Sequence, residues 1–254
     1  MARKKPNKTQ EKLADKLVLY FEEIEKEHGL VSMFRDQVYS SLNKSPKLSP
    51  LIHSIKTRIK EPTHLKEKLL RKMLESAEKG EKFDITKDNI LVRINDLAGI
   101  RLLHIHTHQI KDINTVLRDL FDEQKLKIKE KPFARTWDDE YRKFFQSTGF
   151  ETQSSETMYT SVHYIIESAS RTPVTCELQV RTLMEEVWGE VDHRINYPDP
   201  VDSVPCREQI RALARATSTV TRLVDSIFAS YDDFKGRASA TEVTQKKKAK
   251  KIRK

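Results

Sequence analysis

Apolar residues change their rhythm along this chain, and the changes mark its elements. From Gln10 to about Lys26, Leu13, Leu17, Leu19, Tyr20, Phe21 and Ile24 recur at mostly helical spacing among Lys and Glu, which predicts an amphipathic helix. A second helix is expected through Val31 to Leu42, after which Ser45-Pro46-Lys47-Leu48-Ser49-Pro50 breaks the pattern with two prolines. Helix resumes from about Thr63 to Glu78 and ends near Lys79-Gly80, and a polar connection leads to the apolar Ile90-Leu91-Val92.

The centre is different. Gly99-Ile100-Arg101-Leu102-Leu103-His104-Ile105-His106 reads as a mostly buried strand, with a helix from Ile110 to Phe121 behind it. Leu126 to Lys129, Ser161 to Glu167 and Val174 to Arg181 are further strands, and residues 168–173 make a hairpin connection between the last two. Thr182 to about Ile195 reads as helix, stopped at Tyr197-Pro198. A final helix from Arg207 to about Phe234 carries the stripe Ile210, Leu213, Ala214, Val220, Leu223, Val224, Ile227 and Phe228. There is no internal repeat. The pattern predicts a small mixed sheet packed by helices, an α+β fold with helical extensions at both ends.

Charge and cysteine content narrow the partners. A formal net charge of +9 and a pI near 9.4 favour a phosphate-bearing ligand, a nucleotide or a nucleic acid. Much of the excess is in the last stretch, where Lys246, Lys247, Lys248, Lys250, Lys251, Arg253 and Lys254 crowd together without apolar periodicity. Such a run predicts a disordered, solvated tail, whose functional reading is a grip on RNA or another polyanion. Cys176 and Cys206 form no CxxC pair, Met1 to Thr9 is no apolar leader, and no run is long enough to cross a bilayer. A cytoplasmic protein without membrane contact is the expectation.

The candidate chemistry lies in the centre. Asp96 and Glu177 are carboxylates on different apolar runs, and such a pair can hold a magnesium ion through hard oxygen ligands beside a triphosphate. Gln179 shares a strand face with Glu177, while Arg181 is expected to alternate away and serve a structural pairing. Lys56, Arg58 and Lys60 alternate, and Lys68 and Arg71 sit three apart on one helix face, making a cationic cradle. Arg58 and Arg101 could clamp an adenine while Lys60, Lys68 and Arg71 hold phosphate oxygens. Tyr159 could stack on an acceptor base, with His163 able to reach phosphate or sugar. His104, His106 and His108 could face one way as zinc ligands, although packing or surface exposure explains them more simply. Neither a Walker loop nor GxGxxG is present.

Taken together, Arg58-x-Lys60, Asp96-Leu97-Ala98-Gly99-Ile100-Arg101, Tyr159-Thr160-Ser161-Val162-His163 and Glu177-Leu178-Gln179-Val180-Arg181-Thr182 closely resemble the synthetase domain of the RelA/SpoT family, in order and in spacing. The resemblance runs from about Ile52 to Pro198 and takes in Trp188-Gly189-Glu190-Val191-Asp192-His193. It implies a nucleotidyltransferase-like mixed sheet and transfer of the β,γ-pyrophosphate of ATP to the 3′-hydroxyl of GDP or GTP, yielding ppGpp or pppGpp. It also implies Asp96 as a magnesium ligand, and Glu177 as a second acid that contacts magnesium or acts as general base. On the same basis Arg58, Arg101, Lys60, Lys68 and Arg71 belong to ATP, and Tyr159, His163 and Gln179 to the acceptor, with Tyr159 as guanine platform. No HD dipeptide occurs, so alarmone hydrolysis is not expected, and the chain resembles a stand-alone small synthetase.

The expected division is 1–50, a helical extension; 51–200, the synthetase-like domain; 201–236, a C-terminal helix; and 237–254, the basic tail. One departure bears on the acceptor. Many guanosine-using members carry a Lys and then a Gly just ahead of the tyrosine, whereas Ser155-Glu156-Thr157-Met158 stands here. Toxin-type relatives that pyrophosphorylate adenosine nucleotides or the 3′ end of tRNA are therefore the alternative, and the basic tail suits tRNA. A silent nucleotide- or RNA-binding module is the alternative of another class. Apolar stripes on the terminal helices would suit a homo-oligomer.

Overall fold

The computed structural model describes residues 5–155, 157–196 and 201–252. Its N-terminal helix α1 (Lys8–His28) opens on a capping box, with Asn7 accepting from Thr9 and Gln10 and the Gln10 side chain answering the Asn7 N–H. Gly29, at φ 57°, ends α1 and starts α2 (Leu30–Asn43), a left-handed corner that glycine adopts without steric cost. Strand β1 (Ser54–Ile59) follows, then α3 (Pro62–Glu78), which starts on proline where a missing N–H costs nothing. A single turn of helix, α4 (Ile90–Arg93), precedes β2 (Ala98–His104) and α5 (Ile110–Glu123).

The remaining elements are β3 (Lys127–Ile128), β4 (Phe133–Thr136), α6 (Asp139–Ser147), β5 (Glu151–Ser154), β6 (Ser161–Glu167), β7 (Thr175–Thr182), α7 (Leu183–Asn196) and α8 (Val204–Ile252). The seven strands form one mixed sheet in the order β1-β2-β7-β6-β4-β5, with β3 pairing β6. β2 runs parallel to β7, while β1 on β2 and β6 on β7 are antiparallel. The expected α+β class and mixed sheet are what the chain adopts, and β6 and β7 are the expected hairpin.

Register divides the sheet into two chemically different faces. Ile100, Leu102, Leu178, Val180, Val162 and Tyr164 share one face, all fully or nearly fully buried, against the apolar sides of α2 and α5. Tyr164 is the largest side chain in this layer, and its hydroxyl donates to Asn114 of α5 at 2.8 Å. The other face carries Lys56 and Arg58, Gly99 and Arg101, Glu177, Gln179 and Arg181, then His163. A polar face on central strands is tolerable only if those groups find partners. Here it carries the candidate site.

The sequence pattern misses several elements. β1 reads only as a cationic cradle, because Lys56, Arg58 and Lys60 outweigh the apolar Ile55 and Ile59 that mark an edge strand. β4, α6 and β5 escape the pattern because they are 4, 9 and 4 residues long and carry few apolar positions. α8 runs to Ile252 and so continues through residue 236, where the apolar stripe fades; after Gly236 nothing breaks a helix. The lysine-rich side chains beyond Arg237 lie outside the described residues, as do Tyr197 and Pro198.

Polar contacts tie α8 to the body. Asp225 accepts the Thr107 N–H at 2.6 Å and the Tyr141 hydroxyl at 3.3 Å. Asp138, the N-cap of α6, accepts from Ser218 at 2.7 Å and pairs with Arg222. The Trp188 indole donates to the Ile210 carbonyl at 3.1 Å. Among the described residues no helix is long and apolar enough to cross a membrane.

Candidate active site

The polar face opens into a cleft of about 130 Å³ lined by Lys56, Thr57, Arg58, Gly99, Ile100, Arg101, Glu177 and Gln179. Its floor follows from register, because Arg58 is opposite Gly99 and Gly99 is opposite Glu177 on the next strand. Gly99 makes room for Arg58. A Cβ there would lie 3.2 Å from Cγ and Nε of Arg58, so the missing side chain lets the arginine lie across the strand.

Asp96 stands two residues ahead of β2, in the turn rather than on the strand, and is gripped by two ammonium groups. Lys60 Nζ is 2.9 Å from one of its oxygens and Lys68 Nζ 2.6 Å from the other, with the Asp96 side chain 13% exposed. Burial alone would raise its pKa, but Lys68 and Lys60 outweigh that and hold the carboxyl well below the usual aspartate range. Burial meanwhile lowers the Lys60 pKa, against the pull of Asp96.

Glu177 occupies the centre of the face. It accepts from His163 Nδ1 at 3.0 Å through one oxygen and from Gln179 Nε2 at 3.0 Å through the other. Burial works against its charge, yet the His163 hydrogen bond leads the groups that keep its pKa low, while Asp96 opposes them and Lys68 assists. Asp96, Lys68 and Glu177 are thus within electrostatic reach of one another.

With Nδ1 of His163 facing the Glu177 carboxylate, Nε2 faces the Tyr159 hydroxyl, 2.5 Å away. Burial pushes the Tyr159 pKa up to about 12, so the phenol keeps the proton it donates. Phe133 stacks flat on His163 with centroids 5.0 Å apart and fixes the imidazole plane. Tyr159, His163, Glu177 and Gln179 thus form one hydrogen-bonded row.

Met158, just before Tyr159, adopts φ 59°, a left-handed conformation that costs a side-chain-bearing residue on the order of 1 kcal/mol. It is held there by packing of Met158 and Tyr159 on Trp188, Ile210 and Ala214. A glycine would adopt this conformation without that cost.

Other predicted residues fall differently. Arg71 pairs with Glu75 on its own helix at 3.6 Å and does not line the cleft. Arg181 does not turn away from Glu177 and Gln179: a period of two brings 177, 179 and 181 to the same face. Its guanidinium carbon lies 5.9 Å from the Tyr159 ring centroid, and it pairs with Glu186. His104, His106 and His108 do not converge. His104 is buried with Nδ1 on the His106 carbonyl, His106 stacks on Phe228, and His108 lies against Phe144.

Sequence reasoning missed two buried acids on α7. Glu186 collects Lys56 at 2.8 Å, Arg101 at 3.3 Å and Arg181. Glu185 accepts the Thr160 N–H at 3.1 Å, just behind Tyr159. In a sequence they resemble two solvent-facing helix glutamates; the one available signal was the helix-interior Gly189, which marks a close approach.

Burial pushes the Glu185 pKa up to about 7, against the Thr160 N–H and Arg181, which lower it. Because the folded value is raised, the stability it contributes is complete below the usual glutamate range and is lost as pH rises through about 7. Glu185→Gln keeps the acceptor oxygen and removes the charge. It is expected to match the parent in thermal unfolding near pH 5 and to melt several degrees higher near pH 8, a gain on the order of 2–3 kcal/mol. Equal melting temperatures at pH 8 would refute this.

Two ionised carboxylates thus stand among Lys and Arg side chains at the polar face of a mixed sheet. Comparison with known proteins carries this further. The family model described as the region found in RelA / SpoT proteins matches residues 57–202, more than half of the chain. GTP pyrophosphokinase YwaC of Bacillus subtilis (strain 168) is 26% identical over 154 residues, which is 59% of this chain and 60% of that protein. Small alarmone synthetase 1 from Bacillus subtilis, solved with its product pppGpp, aligns over 84% of this chain and 97% of its own with a TM-score of 0.55 at 18% identity. A GTP pyrophosphokinase family protein from Streptococcus pneumoniae aligns over 82% and 88% with a TM-score of 0.50 at 20% identity. The chain belongs to the RelA/SpoT family.

Proposed function

We propose that the protein transfers the β,γ-pyrophosphate of ATP to the 3′-hydroxyl of GDP or GTP. The observation that carries this is Asp96, gripped by Lys60 and Lys68, within electrostatic reach of Glu177 in the arginine-lined cleft. The activity named for YwaC supports the reading, as does the neighbour solved with pppGpp.

The donor set suits magnesium. Asp96 and Glu177 are both held ionised, are hard oxygen donors, and repel one another across a gap that a divalent cation would relieve. When bound there with substrate phosphates completing its coordination, magnesium supplies charge neutralisation on the transferred group. The protein's own residues do the rest. Arg58 and Arg101 line the cleft where an adenine would be clamped, and Lys60 and Lys68 exchange Asp96 for phosphate oxygens. Arg71 requires a turn of its side chain away from Glu75 to join them.

On the acceptor side, Tyr159 is the platform for the base, and Gln179 and His163 orient the Glu177 carboxylate. Glu177 takes the proton of the 3′-hydroxyl as that oxygen bonds to the β-phosphorus of ATP. The bridge from the β-phosphorus to the α-phosphate oxygen breaks, and AMP leaves with the bonding pair.

The test is an acceptor screen with ATP and magnesium, resolving the nucleotides formed. AMP and 3′-pyrophosphorylated guanosine are expected with GDP or GTP. Label from the γ-phosphate on tRNA or on an adenosine nucleotide, with guanosine nucleotides untouched, would replace the acceptor; RNA binding without AMP release would leave a silent module. A homo-oligomer in the cytoplasm is the proposed working form, and the exposed Val220, Leu223, Ile227, Tyr231 and Phe234 of α8 offer a surface for assembly.

A further inference from the structure

We propose that Glu186 is a positioning residue that holds the donor and acceptor halves of the site in register. Its side chain is 6% exposed and receives cations from three adjacent strands: Lys56 of β1, Arg101 of β2 and Arg181 of β7. Lys56 and Arg101 are direct register partners, so one carboxylate on α7 closes a row that runs across the sheet.

The two arginines face opposite halves of the site. Arg101 lines the cleft with Arg58, Gly99 and Glu177. Arg181 lies over the Tyr159 ring. A guanidinium without an anchor samples many rotamers, whereas one fixed by a charge-assisted hydrogen bond presents its plane in a single orientation. Glu186 anchors both at once, so a displacement on one side is transmitted to the other through one carboxylate.

The helix is built for this contact. A Cβ at Gly189 would lie 2.9 Å from Arg181 Nη1, so the glycine lets α7 approach closely enough for Glu186 to reach the strand. One turn further, Glu190 accepts from Arg101 Nη1 at 2.6 Å, but it is half exposed and receives neither Lys56 nor Arg181. Glu190 therefore serves the donor side alone.

This inference rests on the proposed assignment of Arg101 to ATP and Tyr159 to the acceptor. Calorimetry with α,β-methylene-ATP and, separately, with GDP tests it on the full chain. Glu186→Gln is expected to weaken both by about tenfold, the loss of one charge-assisted contact on each side, with kcat falling less than kcat/KM. Glu190→Gln is expected to weaken the ATP analogue alone. Unchanged affinity for either ligand in Glu186→Gln overturns the proposal. Should that variant fail to fold, Glu186→Asp, which keeps the charge but withdraws it by one methylene, is read the same way. If the parent does not bind GDP, the guanosine reading falls, and the ATP-analogue arm still decides Glu186: no weakening there overturns it.

Discussion

Glu177→Gln is expected to lower kcat by roughly 10²- to 10⁴-fold, the usual contribution of a general base, while the KM for ATP changes little. The amide is isosteric, and one oxygen still accepts from His163 or Gln179, both 3.0 Å from the parent carboxylate. AMP release with GDP as acceptor measures the effect, and near-ultraviolet circular dichroism checks the fold. A variant that folds and still produces AMP at the parent rate would remove Glu177 from the mechanism.

Asp96→Asn should damage both activity and stability. Loss of the anion leaves Lys60, 8% exposed, and Lys68, 21% exposed, facing each other without a counter-charge. Breaking a buried ion pair by removing one partner costs about 3–5 kcal/mol. The direction with pH is opposite to that for Glu185. Burial already depresses the Lys60 pKa, and without Asp96 it falls further, so the variant recovers stability as rising pH lets Lys60 lose its proton. Melting temperatures at neutral pH and near pH 9.5 check this: the gap from the parent should narrow at the higher value. Loss of the proposed magnesium ligand should also lower kcat/KM by about 10³-fold, equivalent to roughly 4 kcal/mol of transition-state stabilisation.

Much of the fold was legible because its elements are long and strongly patterned. α1, α2, α3, α5 and the β6–β7 hairpin each show the period their structure requires. What was illegible is mostly where chemistry overrides pattern. β1 must present Lys56 and Arg58 to the cleft, and with Ser54 and Thr57 four of its six positions are charged or polar, so its strand signal is lost. The candidate carboxylates could be named from the chain, but their environments could not. Nothing in the sequence says that Asp96 would be shared by Lys60 and Lys68, or that Tyr159, His163 and Glu177 would form a continuous hydrogen-bonded row. Glu186 was hidden for a related reason. A glutamate on a helix is usually solvated, and only the tertiary arrangement of three strand cations reveals a buried one.

The decisive measurement is the position of a divalent cation in crystals grown with manganese and α,β-methylene-ATP, located by anomalous scattering. The account predicts one ion bonded to a carboxylate oxygen of Asp96 and to one of Glu177, at metal–oxygen distances of roughly 2.0–2.2 Å, with phosphate oxygens completing its shell. An ion bound to the analogue but touching neither carboxylate would contradict it.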